Sequence, residues 1–205
     1  MQYLQLKHQL REFTVFSLLD IRKLDVNFHR RRLNEWQEKG YIKKIIRGYY
    51  IFSDLSVNEP VLFEIANRIY SPSYVSLESA LAYYGLIPES TYGVTSLSTR
   101  RTYRFSTSLG EFSYRTIKPA LFFGYRLVEY KGKYFKIAEI EKAILDYCYI
   151  NTGIKTASDF KSLRFNTELF RKKVDEKKVF LFLERFKQKM LVKRTKILLE
   201  HIAND

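Results

Sequence analysis

The chain has one cysteine, Cys148, in 205 residues, so no disulfide scaffold can staple it internally. It has three histidines, His8, His29 and His201, far apart in sequence. No HExxH or clustered Cys/His set accompanies them, so the spacing of a metal site is missing. A Walker-type glycine loop and a GxGxxG fingerprint are missing as well, which leaves no ready-made cradle for a cofactor phosphate. Met1 to Phe13 lacks the apolar core of a secretory signal, being interrupted by Lys7 and Arg11. No run approaches the roughly 18 apolar residues of a membrane span, and Val179 to Leu183 is among the longest. The expectation is a cytoplasmic chain with no membrane partner, no cofactor, no metal and no enzymatic activity. The carboxylates Glu78, Glu139, Glu141 and Asp146 read as helix-surface residues rather than an acid/base pair.

Acidic side chains are also in short supply. There are 22 against 36 Lys and Arg, a net charge of +14. Hydrophobic residues make up 46% and charged residues 28%, the mix of a folded protein rather than a disordered one. A charge of that sign attracts polyanions, and nucleic acid heads the list. The excess is uneven: 11 basic and 6 acidic residues in 1–54 give +5, 11 and 9 in 55–152 give +2, and 14 and 7 in 153–205 give +7.

The first segment carries helical spacing over Leu4 to Arg11 and again after Phe13, with Thr14 a candidate N-cap. Asp25 or Asn27 is a candidate cap for a third helix running to about Lys39 and stopped by Gly40. Leu33 and Trp36 form its inner face, with His29 read as a packing residue. Tyr41 to Ile46 and Tyr49 to Phe52 flank Arg47-Gly48, the pattern of a hairpin. Helix, helix, helix, hairpin is the order of a winged helix-turn-helix, whose third helix enters the major groove. Arg31 and Asn34 then turn outward, with Arg30 and Arg32 on the flanks. Arginine forks suit guanine, Asn34 suits adenine or a phosphate, and Asn27 lies at the helix entry. Lys43, Lys44 and Arg47 would meet phosphates. The same module also serves as a protein-binding unit, and that alternative stays open.

Beyond the polar stretch Ser53 to Glu59, the middle segment reads as α+β with a mainly antiparallel sheet. Its parts are a short strand at Tyr74-Val75, a helix capped by Ser76 and ended by Gly85, and strands at Tyr92 to Ser98, Tyr103 to Phe105 and Glu111 to Arg115. Strands at Phe122 to Tyr130 and Tyr134 to Ala138 follow, and then a helix over Glu139 to Tyr149 with Gly153 a candidate cap. On the return strand Phe112 and Tyr114 share one face. Arg100, Arg101 and Arg104 either bind phosphate groups or line a solvated sheet edge. The last segment is helical from about residue 156, starting at Ala157, with candidate caps at Asn166 or Thr167 and at Asp175. There Lys187, Lys189, Lys193, Arg194 and Lys196 form either a solvated basic face or a polyanion surface.

Asn27 to Phe52, NFHRRRLNEWQEKGYIKKIIRGYYIF, resembles the N-terminal winged helix of AbiEi-family antitoxins. Ala66 to Glu89, ANRIYSPSYVSLESALAYYGLIPE, resembles the start of that family's second domain, and TSLSTRRTYRF, GEFSYRTIKPALFFGY and IAEIEKAILDY follow in order. The resemblance implies two domains, 1–56 and 57–205. It implies a repressor that binds inverted repeats of double-stranded DNA in its own promoter, and an antitoxin. The partner it implies is a neighbouring nucleotidyltransferase-like toxin of a type IV system for abortive infection, without a stable complex between the two. A monomer or weak dimer in solution, with two copies on DNA, is expected.

Overall fold

The computed structural model describes residues 1–88, 93–154, 156, 158–161 and 163–203. Parts of two expected elements, Tyr92 and Ala157, lie outside the described residues. The fold is α+β, with a small antiparallel sheet near the N-terminus and a larger mixed sheet beyond it.

Helix α1 spans Tyr3–Gln9, strand β1 Phe16–Ser17 and helix α2 Leu18–Leu24. The cap of α2 is Ser17, not Thr14. Ser17 Oγ accepts from the Asp20 amide at 3.3 Å, and Asp20 Oδ2 accepts from the Ser17 amide at 2.9 Å. Thr14 is buried, donates to Glu64 and accepts from Lys133 Nζ at 2.9 Å. Helix α3 is shorter than expected, Arg31–Glu38. Asp25 closes a turn instead of opening a helix: its Oδ1 accepts from Asn27 N and its carbonyl from Phe28 N. Gly40, at φ +70°, follows the helix end as expected. Strands β2, Ile42–Ile46, and β3, Tyr49–Phe52, pair antiparallel with a bulge between Lys44 and Ile46. β1 adds to the other side of β3.

This sheet serves two cores. Phe16, Ile42, Tyr50 and Phe52 pack with Leu6, Ile21, Leu33 and Trp36. Val15, Ile45 and Ile51 belong to the larger core that runs through the rest of the chain. The alternation Tyr50, Ile51, Phe52 sends neighbouring side chains to opposite faces.

The polar stretch from Ser53 to Asn58 lies outside any helix or strand, and helix α4, Glu59–Ile69, which the sequence reading did not include, begins at its end. Asn58 Oδ1 accepts from Val61 N at 3.2 Å, and Pro60 sits in the first turn, where its missing N–H costs nothing. Strand β4, Ser73–Val75, leads into α5, Leu77–Tyr83. Strands β5 (Gly93–Ser98), β6 (Tyr103–Thr107), β7 (Gly110–Thr116), β8 (Tyr125–Tyr130) and β9 (Lys133–Ala138) complete the larger sheet, in the order β6-β7-β5-β4-β9-β8. The β5–β7 and β4–β9 pairs are parallel and the other three antiparallel, so the sheet is more mixed than the hairpin signals suggested. Phe112 and Tyr114 are buried on one face, as their spacing indicated.

Helix α6, Ile140–Ile150, is not an amphipathic surface helix. Ile140 to Asp146 are all buried, so its expected surface carboxylates Glu141 and Asp146 face protein. Asn151, rather than Gly153, caps it. Helices α7 (Ser158–Lys161), α8 (Thr167–Lys173), α9 (Glu176–Phe186) and α10 (Lys189–Ala203) close the fold. Asn166 and Asp175 cap α8 and α9 through their side chains, as their residue types indicated. No helix among the described residues is long and apolar enough to cross a membrane.

Candidate nucleic-acid interface

Helix α3 has two unlike sides. Leu33 and Trp36 are buried, and the Trp36 ring meets Phe28 at 5.4 Å and Tyr3 at 5.8 Å between centroids. Asn34 and Arg31 are exposed, and Arg30, just before the helix, is exposed too. The Arg31 side chain is 89% exposed, and its Nε lies 3.8 Å from Glu35 Oε1. A pair that open to water contributes about 0–1 kcal/mol, so the guanidinium is easily redirected to another acceptor. Arg30 and Arg31, with Arg22, Asn27 and the exposed His29, line a shallow hollow of about 570 Å³ between α2 and α3. His29 is therefore not a packing residue.

Arg32 stands apart from its neighbours. It is half-buried and its Nη1 donates to the Met1 carbonyl, so it ties α3 to the N-terminal turn. Of the three consecutive arginines, two face solvent and one is structural.

On the hairpin Lys43, Lys44 and Arg47 are all exposed. Register separates the lysines. Lys44 lies opposite Tyr50, on the face that packs toward α3, and Lys43 opposite Ile51, on the other face. Both sit on an edge strand, since β3 is the central one. Arg47 is at the turn, next to Gly48 at φ +90°. β2 also approaches β6, so the hairpin neighbours the second basic group.

That second group is partly engaged. Arg100 lies over the Tyr70 ring at 4.3 Å and its Nη1 donates to the Ser71 carbonyl at 3.3 Å. Arg101 lies 5.9 Å from the Tyr103 ring centroid, and Arg104 Nε is 3.4 Å from Glu111 Oε1. The C-terminal group divides. Lys187, Lys189, Lys193 and Lys196 are exposed, but Arg194 is 7% exposed and its Nη1 donates to the Cys148 carbonyl. Arg194 therefore belongs to the interior and not to a polyanion surface. Cys148 is fully buried, and burial pushes its thiol up to about 12.

The sequence reading missed a buried polar cluster on α6. Lys142 Nζ donates to Asp146 and, at 2.9 Å, to Tyr74 Oη. Asp146 Oδ2 also accepts from Tyr74 Oη and Ser76 Oγ, each at 2.9 Å. Burial lowers Lys142 and raises Asp146, in each case against the attraction of the partner. The Lys142 stem presses on Gly124, where a Cβ would sit 3.1 Å from Lys142 Cγ at φ +68°. The i, i+4 spacing of Lys142 and Asp146 was the available signal. Alone it reads as an ordinary surface pair. Among the described residues no group of three or more His, Cys, Asp or Glu could hold a metal ion. No protein-family model matches the chain, and no curated protein matches it.

Proposed function

We propose that residues 1–56 form a winged helix-turn-helix that binds double-stranded DNA, and that the chain represses its own operon and counteracts a neighbouring nucleotidyltransferase-like toxin. The observation that carries this reading is the polar side of α3. Arg30, Arg31 and Asn34 stand exposed directly behind the buried Leu33 and Trp36, with Lys44 on the neighbouring strand. A helix so placed offers arginine forks to guanine edges and leaves the hairpin lysines to the phosphates. The antitoxin part rests on the resemblance to the AbiEi family.

The DNA claim is tested by fluorescence anisotropy of the full chain on the DNA upstream of its own reading frame, against a scrambled duplex at equal salt. Specific binding at least roughly 10³-fold tighter than the scrambled control is expected. Equal affinity for both would overturn it. Co-expression with the neighbouring reading frame tests the antitoxin claim: growth arrest by the neighbour alone, relieved by this chain, is the expected result.

A further inference from the structure

A cleft of about 980 Å³ opens on the larger sheet where β5, β6 and β7 run side by side, lined by Thr95, Arg104, Ser113 and Arg115 among others. Its size is that of a small-molecule site. The floor is polar because of strand register. Arg104 on β6 lies opposite Ser113 on β7, which lies beside Thr95 on β5, and Arg115 stands two residues further along β7 on the same face. Diagonal neighbours of this kind are about 7–8 Å apart, near enough for two guanidinium groups to converge on one anion. Arg164 reaches the rim from the segment before α8. Arg104 shares Glu111, while Arg115 and Arg164 make no ion pair among the described residues.

The opposite wall is apolar, made by Leu77, Ile87, Ile150 and Leu163, with Glu78 beside them. Its edge is held rigidly. Leu77 takes a left-handed backbone at φ +58°, an unfavourable state for leucine. Thr95 pins it there: its Oγ1 donates to the Ser76 carbonyl at 2.7 Å and accepts from Ser79 N at 3.0 Å, while its own amide donates to Ser79 Oγ at 2.9 Å. Strain sustained by surrounding bonds is a recurrent mark of ligand-binding walls.

An apolar wall facing one unpaired arginine on the floor, Arg115, and another on the rim, Arg164, suits an anion with a flat hydrophobic body. Two unpaired guanidinium groups call for close to two negative charges, which a phosphate monoester supplies at neutral pH and a carboxylate does not. We propose that the cleft binds a nucleoside phosphate, with the phosphate on the unpaired Arg115 and Arg164 and within reach of Arg104, the base against Leu77 and Leu163, and Glu78 accepting from a sugar hydroxyl or base amine. The site is separate from α3 and stands whether or not the chain binds DNA.

Titration calorimetry of the full chain with AMP, GMP, CMP, UMP and inorganic phosphate, near physiological salt, tests this. Saturable one-to-one binding of at least one nucleotide, tighter than inorganic phosphate, is expected. Arg115→Ala should weaken it roughly tenfold to a hundredfold, the loss of charge-assisted hydrogen bonds. Ser113→Phe, which fills the floor with a residue well suited to a strand, should abolish binding with an unchanged thermal melt. Lys177→Ala, at an exposed lysine on α9 outside the cleft, should leave it unchanged. The proposal is overturned if no nucleotide binds saturably or if inorganic phosphate binds as tightly. It is overturned equally if Lys177→Ala weakens binding as much as Arg115→Ala, since attraction to the overall charge then accounts for it.

Discussion

Lys142→Met removes a cation that has no solvent exposure and leaves Asp146, equally enclosed, without its counter-ion. The hydroxyls of Tyr74 and Ser76 still donate to Asp146 at 2.9 Å, but neither carries charge. Breaking one side of a buried pair costs about 3–5 kcal/mol. That is a large share of the roughly 5–15 kcal/mol that holds a domain together. Methionine keeps most of the lysine stem, so only a small cavity cost is added. Asp146→Asn leaves the ammonium unpaired and should cost a similar amount. The double variant carries no buried charge, and its amide oxygen still accepts from Tyr74 or Ser76. Its expected cost is about 2 kcal/mol, one or two weakened hydrogen bonds at about 1 kcal/mol each. The two single costs should therefore exceed the double by at least about 3 kcal/mol. Urea unfolding of the four proteins at neutral pH, with slopes checked for constancy, measures that difference. Single costs that add to the double within about 0.5 kcal/mol would refute the reasoning, because the two side chains would then act independently.

Arg31→Ala should lose about 1–3 kcal/mol on specific DNA and far less on a scrambled duplex, whereas Arg32→Ala should lower the melting temperature instead; anisotropy and calorimetry separate the two. Lys44→Ala should weaken binding to both duplexes and flatten the slope of log affinity against log salt by roughly 0.9. Burial pushes Asp20 up, but the two Ser17 hydrogen bonds and the Arg68 guanidinium outweigh it and hold the carboxyl below its ordinary value. Its contribution is therefore present above the ordinary carboxylate range and lost as pH falls through the lowered value. Asp20→Asn should destabilise at neutral pH, with the difference from the parent vanishing in strong acid, as read by unfolding curves across pH. Gly124→Ala should destabilise by about 1–3 kcal/mol in urea unfolding, since it adds a left-handed backbone penalty to a contact with the Lys142 stem.

The elements that sequence made legible are those whose signals are local. Gly40, Asn166 and Asp175 end or start helices through groups within a few residues. The β2–β3 hairpin and the buried face of β7 follow from turn chemistry and from a period of two. Parallel pairing of β5 with β7 has no such signal, because no turn joins the two strands directly. Helix α4 was hidden by its polar entry, where Asn58 and Pro60 are start signals but also read as a loop. Asp146 and Arg194 are the sharper cases. Each is a charged residue on a helix, and residue type puts both at the surface. Their burial depends on partners 72 and 46 positions away, Tyr74 and Cys148, which no local pattern announces.

The small sheet also dictates where the chain can be cut. Tyr50 and Phe52 look toward the N-terminal helices while Ile51 between them looks toward the rest of the protein. A fragment ending near residue 56 would leave Val15, Ile45 and Ile51 bare on one sheet face, and Thr14 without Glu64 and Lys133. Such a fragment should be sticky in solution rather than an independent reader of DNA. The same stitching means that α3 has no free swivel. Whatever tilts the larger sheet tilts the helix with it, so the two halves of the chain share one mechanical frame.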